Sequence, residues 1–342
     1  MTAFKTILLD MNAASHVATI TLNRPDSLNA FNRIMCEEMA EAWRIVKFDE
    51  SVNAVVLRAA GDRAFSAGLD ITSPYGQPDN VWNHEDPGEA LSPKWQKMWK
   101  PVVCAVHGMC TAGAFYFVNE SDVVICSDDA TFFDSHVSAG LVCALEPIGL
   151  MRRIGLGETL RIALMGNDER IGADTALRIG LVSEVVSPNR LWVRADEIAA
   201  TIAAKPPSAT QGTVKAIWES LDKPYRAALE QNLIYTRLGN PLGQAWPPMA
   251  TVRRPHRGSA DAPARPAHSR RAGAAARRNS HRVRRSVVDV ARGHRACRAH
   301  QGTGGRAASG RDPAAQQARS RGGVSRRAAR RRNRRRHQPV PR

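Results

Sequence analysis

Pro101-Val102-Val103-Cys104-Ala105-Val106-His107-Gly108-Met109-Cys110-Thr111-Ala112-Gly113-Ala114-Phe115-Tyr116-Phe117-Val118-Asn119-Glu120-Ser121-Asp122 decides the fold. Val102 to Val106 is a short unbroken apolar run, the pattern of a strand buried on both faces. A glycine-containing turn follows, then a helix predicted over Ala112 to Ser121, then a second apolar run from Val123 to Cys126. Strand, turn and helix in that order imply parallel βα units.

Working outward, the same order recurs upstream, where Val55-Val56-Leu57 precedes a turn and the segment Phe65 to Asp70. Ile7 to Met11 and Val17 to Leu22 read as strands, the second ended by Asn23-Arg24-Pro25-Asp26. Asn32 can cap a helix whose apolar residues Met35, Met39, Ala42, Trp43 and Val46 share one face. Ser73 to Ser92, rich in Pro, Gly and acids, has no periodicity and reads as a mobile loop bordering a pocket. Beyond Leu150, helices are expected at Glu158 to Met165, Ala173 to Ile179, Leu191 to Ala204 and Ser208 to Ser220, with Lys205-Pro206-Pro207 separating the last two.

Composition divides the 342 residues near Trp246. From Pro247 to Arg342 there are 27 Arg, no Lys and 3 Asp, a charge of about +24, against about −7 for the rest. All seven Trp, four Tyr and eight Phe precede Pro247. The tail therefore lacks the large side chains whose burial offsets conformational entropy, and it is expected to be disordered. It would bind polyanions, nucleic acid included, only nonspecifically through phosphate contacts; it has neither stacking aromatics nor zinc-finger spacing. Arg without Lys is also what a shifted reading frame in GC-rich coding sequence yields. The six Cys show no CxxC or paired-His spacing, so buried free thiols are expected and no metal, in a reducing, cytoplasmic setting. No apolar stretch reaches 18 residues, which excludes a membrane-spanning helix and a membrane partner.

Four blocks together resemble the signatures of the crotonase superfamily, the enoyl-CoA hydratases and isomerases. They are Asn23-Arg24-Pro25-Asp26-Ser27-Leu28-Asn29-Ala30-Phe31, Ala64-Phe65-Ser66-Ala67-Gly68-Leu69-Asp70-Ile71, Pro101 to Asp122, and Ala173-Asp174-Thr175-Ala176-Leu177-Arg178-Ile179-Gly180-Leu181-Val182. The resemblance implies an α/β fold: a spiral of ββα repeats with two near-perpendicular sheets over residues 1–190, then a C-terminal helical trimerisation region over 191–246, here cut short, ahead of the 247–342 tail. It also implies a homotrimer or hexamer acting on an acyl-CoA, with coenzyme A part of the substrate and no separate cofactor.

An enolate oxygen formed on a thioester needs fixed donors, and backbone N–H groups serve without reorganising. By the family's pattern these are Leu69 N–H and Gly113 N–H. Arg24, Ser27, Leu28 and Ala30, with Ser66, Ala67, Gly68 and Asp70, fall where family members hold CoA. The two acids of hydratases would fall at Tyr116 and His136, and neither is a carboxylate. His136 titrates near neutrality and reads either as a base or as a satisfied core histidine. Glu146 stands where glycine is usual and reads as a base, or as a plain N-cap to a helix beginning at Pro147. Tyr116 reads as a donor or a core aromatic. Asp134 can pair with His136 only if the backbone bends. Two rival classes stay open: a non-catalytic acyl-CoA binder, and a polyanion binder acting through the tail.

Overall fold

A computed structural model describes residues 4–72, 80, 82 and 86–246. The Arg-rich segment and most of the Ser73–Ser92 loop lie outside these residues. In chain order the elements are β1 (Ile7–Asn12), β2 (Val17–Leu22), α1 (Arg33–Phe48), β3 (Ala54–Ala59), β4 (Ala64–Ser66), α2 (Gly88–Leu91), β5 (Val102–Val106), β6 (Met109–Thr111), α3 (Phe115–Asn119), β7 (Val123–Ser127), β8 (Thr131–Phe133), α4 (Leu145–Ile154), α5 (Leu156–Met165), β9 (Ile171–Gly172), α6 (Ala173–Ile179), β10 (Glu184–Val186), α7 (Pro188–Ala203), α8 (Pro207–Ser220) and α9 (Tyr225–Gln244).

Six strands form one sheet in the order β1-β2-β3-β5-β7-β10, parallel except for β1; four form a second in the order β4-β6-β8-β9, with β9 antiparallel to β8. Each repeat sends one strand to the large sheet, the next to the small sheet, and closes with a helix: β3-β4-α2, β5-β6-α3 and β7-β8-α4. This is the expected ββα spiral, and the fold is α/β with two sheets.

Period-two alternation builds the core. Val55 and Leu57 of β3 face inward with Phe65, Phe117 and the buried stripe of α1, while Ala54 and Val56 face the other way with Val103, Ala105 and Ile125. On that outer face α7 lays Leu191, Ala195, Ala199 and Ala203, four positions at i, i+4, i+8 and i+12 whose small size lets the helix lie close to the sheet. α1 forms as anticipated: the Asn32 side chain accepts from Met35 N–H at 3.0 Å, and Met35, Met39, Ala42, Trp43 and Val46 are all buried.

Three readings are corrected. Phe65 to Asp70 is not helical: Ala64–Ser66 is strand β4, paired with β6, and a turn follows. Four residues of the expected structureless loop, Gly88 to Leu91, form α2, and Trp43 Nε1–H donates to Leu91 O at 3.1 Å beneath it. α4 begins at Leu145, with Ala144 as its cap, so Glu146 lies inside the first turn. Pro147 is accommodated because N–H groups of a first turn have no intrahelical acceptor.

Candidate active site

The carboxyl ends of β4, β6 and β8 adjoin in the small sheet, with Ser66 paired to Cys110 and Thr111 to Phe133. Adjacent strands lie about 4.8 Å apart, so the residues leaving them, Ala67 to Asp70, Ala112 to Ala114 and Asp134 to His136, emerge side by side. That is the ordinary place for a ligand in a parallel sheet.

Leu69 forms a parallel bridge with Phe31: Phe31 N–H donates to Gly68 O, and Asp70 N–H donates to Phe31 O, both at 2.8 Å. This uses the amides around Leu69 and leaves Leu69 N–H with no acceptor among the described residues. Gly113 sits in the first turn of a 3₁₀ segment, Ala112 to Ala114, running into α3, where N–H groups likewise lack intrahelical acceptors. Ala112 adopts φ 51°, a left-handed conformation that costs a non-glycine residue about 1–2 kcal/mol and directs the following amide.

Glycine is required at both places. At Gly68, φ is 82° and a Cβ would lie 2.9 Å from Gly113 N, so the two segments approach only because the side chain is missing. At Gly113 a Cβ would lie 2.6 Å from the Phe31 ring. Two free N–H groups held by fixed backbone are the kind of donors that stabilise a developing oxyanion.

Arg24, in the turn after β2, pairs with Asp70 at 2.9 Å and also donates to Ala30 O. Asp70 accepts further from Thr72 N–H and its hydroxyl, and these bonds with the Arg24 guanidinium hold its carboxyl below the usual range. Ser66 is fully buried, donating to Asn29 O at 2.9 Å and accepting from Gly68 N–H. Ala67 N–H donates to Leu28 O. Arg24, Ser66 and Asp70 thus tie the 24–30 turn to the 66–70 turn, while Ser27 faces solvent and Leu28 is half-buried.

Beyond β8 the chain bends into helical φ and ψ at His136 (−57°, −52°), which brings alternate residues onto one side. Asp134 Oδ1 therefore accepts both the His136 backbone N–H at 2.9 Å and its ring Nδ1–H at 2.8 Å. The opposite ring nitrogen, Nε2, faces Glu146 Oε1 at 3.8 Å. Asn119 of α3 holds Glu146 in place by donating Nδ2–H to its carbonyl at 2.8 Å. A Cβ on Gly149 would meet that amide at 2.6 Å.

Burial pushes the Glu146 carboxyl up, partly offset by a backbone hydrogen bond and by His136. The bond from Asp134 pushes His136 up despite partial desolvation, with Glu146 adding to the effect. Tyr116 lies one turn along from Gly113, packs edge-on to Phe31, and donates to Asp86 Oδ2 at 3.2 Å. Burial, with Glu146 and Asp86 nearby, drives its phenol far above the ordinary value, so it stays a neutral donor. A cavity of about 660 Å³ shares Tyr116 and Leu145 with the site and is walled by Asp86, Trp95 and Trp218.

The structure thus brings Leu69 and Gly113 together, and Glu146, His136 and Tyr116 into one cluster. Sequence reasoning missed Asn119 and Asp86, for which no motif signals, and left Asp134 aside although its Asp-x-His spacing was visible. It also took every body cysteine as buried; Cys143 is half-buried, near Asp134. Asp134, His136 and Cys143 ligand atoms all lie within 4.8 Å of one another, a separation compatible with a metal ion. Burial raises the Cys143 thiol above its ordinary value, and Asp134 accepts both hydrogen bonds from His136.

A family model described as enoyl-CoA hydratase/isomerase matches residues 12–237. The chain belongs to the enoyl-CoA hydratase/isomerase family. It is 31% identical over 230 residues to (E)-benzylidenesuccinyl-CoA hydratase of Thauera aromatica, covering 67% of this chain and 87% of that one. With the mitochondrial Delta(3,5)-Delta(2,4)-dienoyl-CoA isomerase of Mus musculus it shares 30% identity, covering 66% and 75%. Among solved structures it resembles an enoyl-CoA hydratase/isomerase from Mycobacterium paratuberculosis, with TM-score 0.64, 37% identity and coverage of 69% and 91%. As an enzyme of the enoyl-CoA hydratase/isomerase family, the protein acts on acyl-CoA thioesters.

Proposed function

We propose that this family member takes an unsaturated acyl-CoA, holds the thioester oxygen on Leu69 N–H and Gly113 N–H, and moves protons with Glu146 and His136. The 3.8 Å approach of His136 Nε2 to Glu146 Oε1 beside the free amides carries the reading. As negative charge develops on the thioester oxygen, the fixed amides stabilise it, an effect of about 10²- to 10³-fold per donor. Glu146, less acidic than a free carboxylate, takes a proton from carbon, and the His136 imidazolium delivers its Nε2 proton at a second carbon. For double-bond migration one such group suffices, and for hydration the pair divides water activation from carbon protonation. Tyr116, whose hydroxyl donates to Asp86, stands beside Glu146 as a neutral wall of the site.

The CoA portion is proposed to follow the 24–30 and 66–70 turns. Ser27, Leu28, Ala30 and Ala67 offer contact there, while Arg24, Ser66, Gly68 and Asp70 shape the surface. Coenzyme A enters as part of the substrate, with no separate cofactor. Residues 1–190 form the catalytic core and 191–246 the assembly region of a homotrimer or hexamer; Leu229, Leu233, Leu238 and Leu242 of α9 are all more than half exposed, which suits contact with other copies. Five free cysteines among the described residues agree with a reducing, cytoplasmic setting.

The test is turnover of 2-enoyl-, 3-enoyl- and 3,5-dienoyl-CoAs by the full chain, followed by NMR. Hydration or migration of a double bond is expected, lowered about 10²-fold or more in Glu146→Gln. Tight acyl-CoA binding with no turnover of any member would instead establish a non-catalytic binder.

A further inference from the structure

Asp134 takes no part in the steps above, yet it is the most enclosed carboxylate of the site, 2% exposed. It leaves β8 directly after Phe133, and its Oδ1 receives two hydrogen bonds from the same residue, His136, one from the backbone and one from the ring. The Cys143 thiol, from the loop entering α4, lies within 4.8 Å of the same carboxylate. An enclosed carboxylate with two donors turned toward it is held as an anion. Its own burial works to raise its pKa, and these bonds outweigh that and lower it.

A carboxylate so placed constrains the imidazole. Nδ1 must carry its proton to face an anionic oxygen, which fixes the tautomer and turns Nε2 toward Glu146. We infer that Asp134 is a positioning residue for the proton-transfer pair, holding His136 by Nδ1–H so that Nε2 is presented to Glu146 and the substrate. The inference rests on the proposed roles of Glu146 and His136. The groups facing His136 among the described residues are Asp134 from its own segment, Cys143 from the loop before α4 and Glu146 from α4, with Tyr116 of α3 behind Glu146. No cation is among them, so loss of Asp134's charge leaves His136 less basic, with Glu146 its remaining anionic neighbour.

The proton count balances with Asp134 unchanged throughout. Glu146 carboxylate gains a proton from substrate carbon, the His136 imidazolium gives its Nε2 proton to the second carbon and becomes the Nδ1–H imidazole, and the Glu146 proton then passes to Nε2, restoring both groups.

The experiment is Asp134→Asn in the full chain, compared with His136→Gln and Glu146→Gln. The Asn Oδ1 can accept the same two His136 bonds, so the ring orientation survives and only the charge is removed. The expected result is a kcat lower by about tenfold or more, part of the ~10²–10⁴-fold that positioned acid–base groups contribute, with KM within about twofold. The pH-profile limb belonging to His136 moves down by about one unit, and ¹⁵N NMR of the ring shows the same displacement. If His136→Gln loses activity while Asp134→Asn keeps both kcat and the limb, the positioning role fails and the proposed function stands. If His136→Gln and Glu146→Gln both keep full kcat, the proposed function itself fails. Should Asp134→Asn not fold, ring titration of His136 in the unsubstituted protein decides: a pKa above 6.5 with Nδ1 protonated throughout supports the role, and a value at or below 6.5 overturns it.

Discussion

Gly113 and Gly68 carry the sharpest residue-scale consequences. Gly113→Ala places a methyl 2.6 Å from the Phe31 ring, so either the ring or the amide must move. Displacement of one oxyanion donor is expected to lower kcat by about 10²- to 10³-fold, with a smaller change in KM, by steady-state kinetics. His136 gives a pH prediction. Its folded pKa is raised above the unfolded value, so the stability it contributes with Asp134 is complete below about pH 6.5 and is lost as pH rises through the folded value. Asp134 is shifted the other way, and its contribution is lost as pH falls through its lowered pKa. Thermal unfolding scans should therefore place the pair's joint contribution between those limits, and His136→Gln should flatten the upper flank. The turns that carry the Leu69 and Gly113 N–H groups could be located from sequence, since a backbone N–H is placed by motif alone and the side chain at Leu69 is immaterial to it. The Asp134–His136 pair could not, because it depends on a bend after Phe133 that no residue type announces.

At the scale of elements, the long strands and amphipathic helices were legible and the small sheet was not. Val17–Leu22, Val102–Val106 and Ala173–Ile179 match expectation residue for residue, because burial on two faces or along one stripe writes a clear period into the sequence. Ala64–Ser66, Met109–Thr111 and Thr131–Phe133 are three residues each, too short to show any period, yet their carboxyl ends present the site. The packing of α7 gives the element-scale test. Ala199 is fully buried among β-strand side chains, so Ala199→Leu overpacks that face. It should cost about 1–3 kcal/mol in denaturant unfolding, with kcat per folded molecule kept, since α7 lies across the large sheet and adds nothing to the small one. Asn32→Ala, which removes the α1 cap, should cost about 1 kcal/mol.

For the whole molecule, two sheets place three turns together, and the proposed assembly rests on helix α9. The exposed leucines of α9 predict that sedimentation of the full chain gives a multiple of its 37.4 kDa mass, and that Leu238→Lys with Leu242→Lys shifts it toward monomer. The central claim is enolate formation at the paired amides with Glu146 as base, and it is tested most directly by proton exchange. The full chain is incubated with a saturated acyl-CoA in D₂O, and deuterium at the α-carbon is followed by NMR for the unsubstituted protein and for Glu146→Gln. The account predicts exchange at the α-carbon that falls about 10²-fold or more in the variant, with acyl-CoA binding kept. Exchange at equal rates in both proteins, or acyl-CoA binding with no exchange in either, would contradict it.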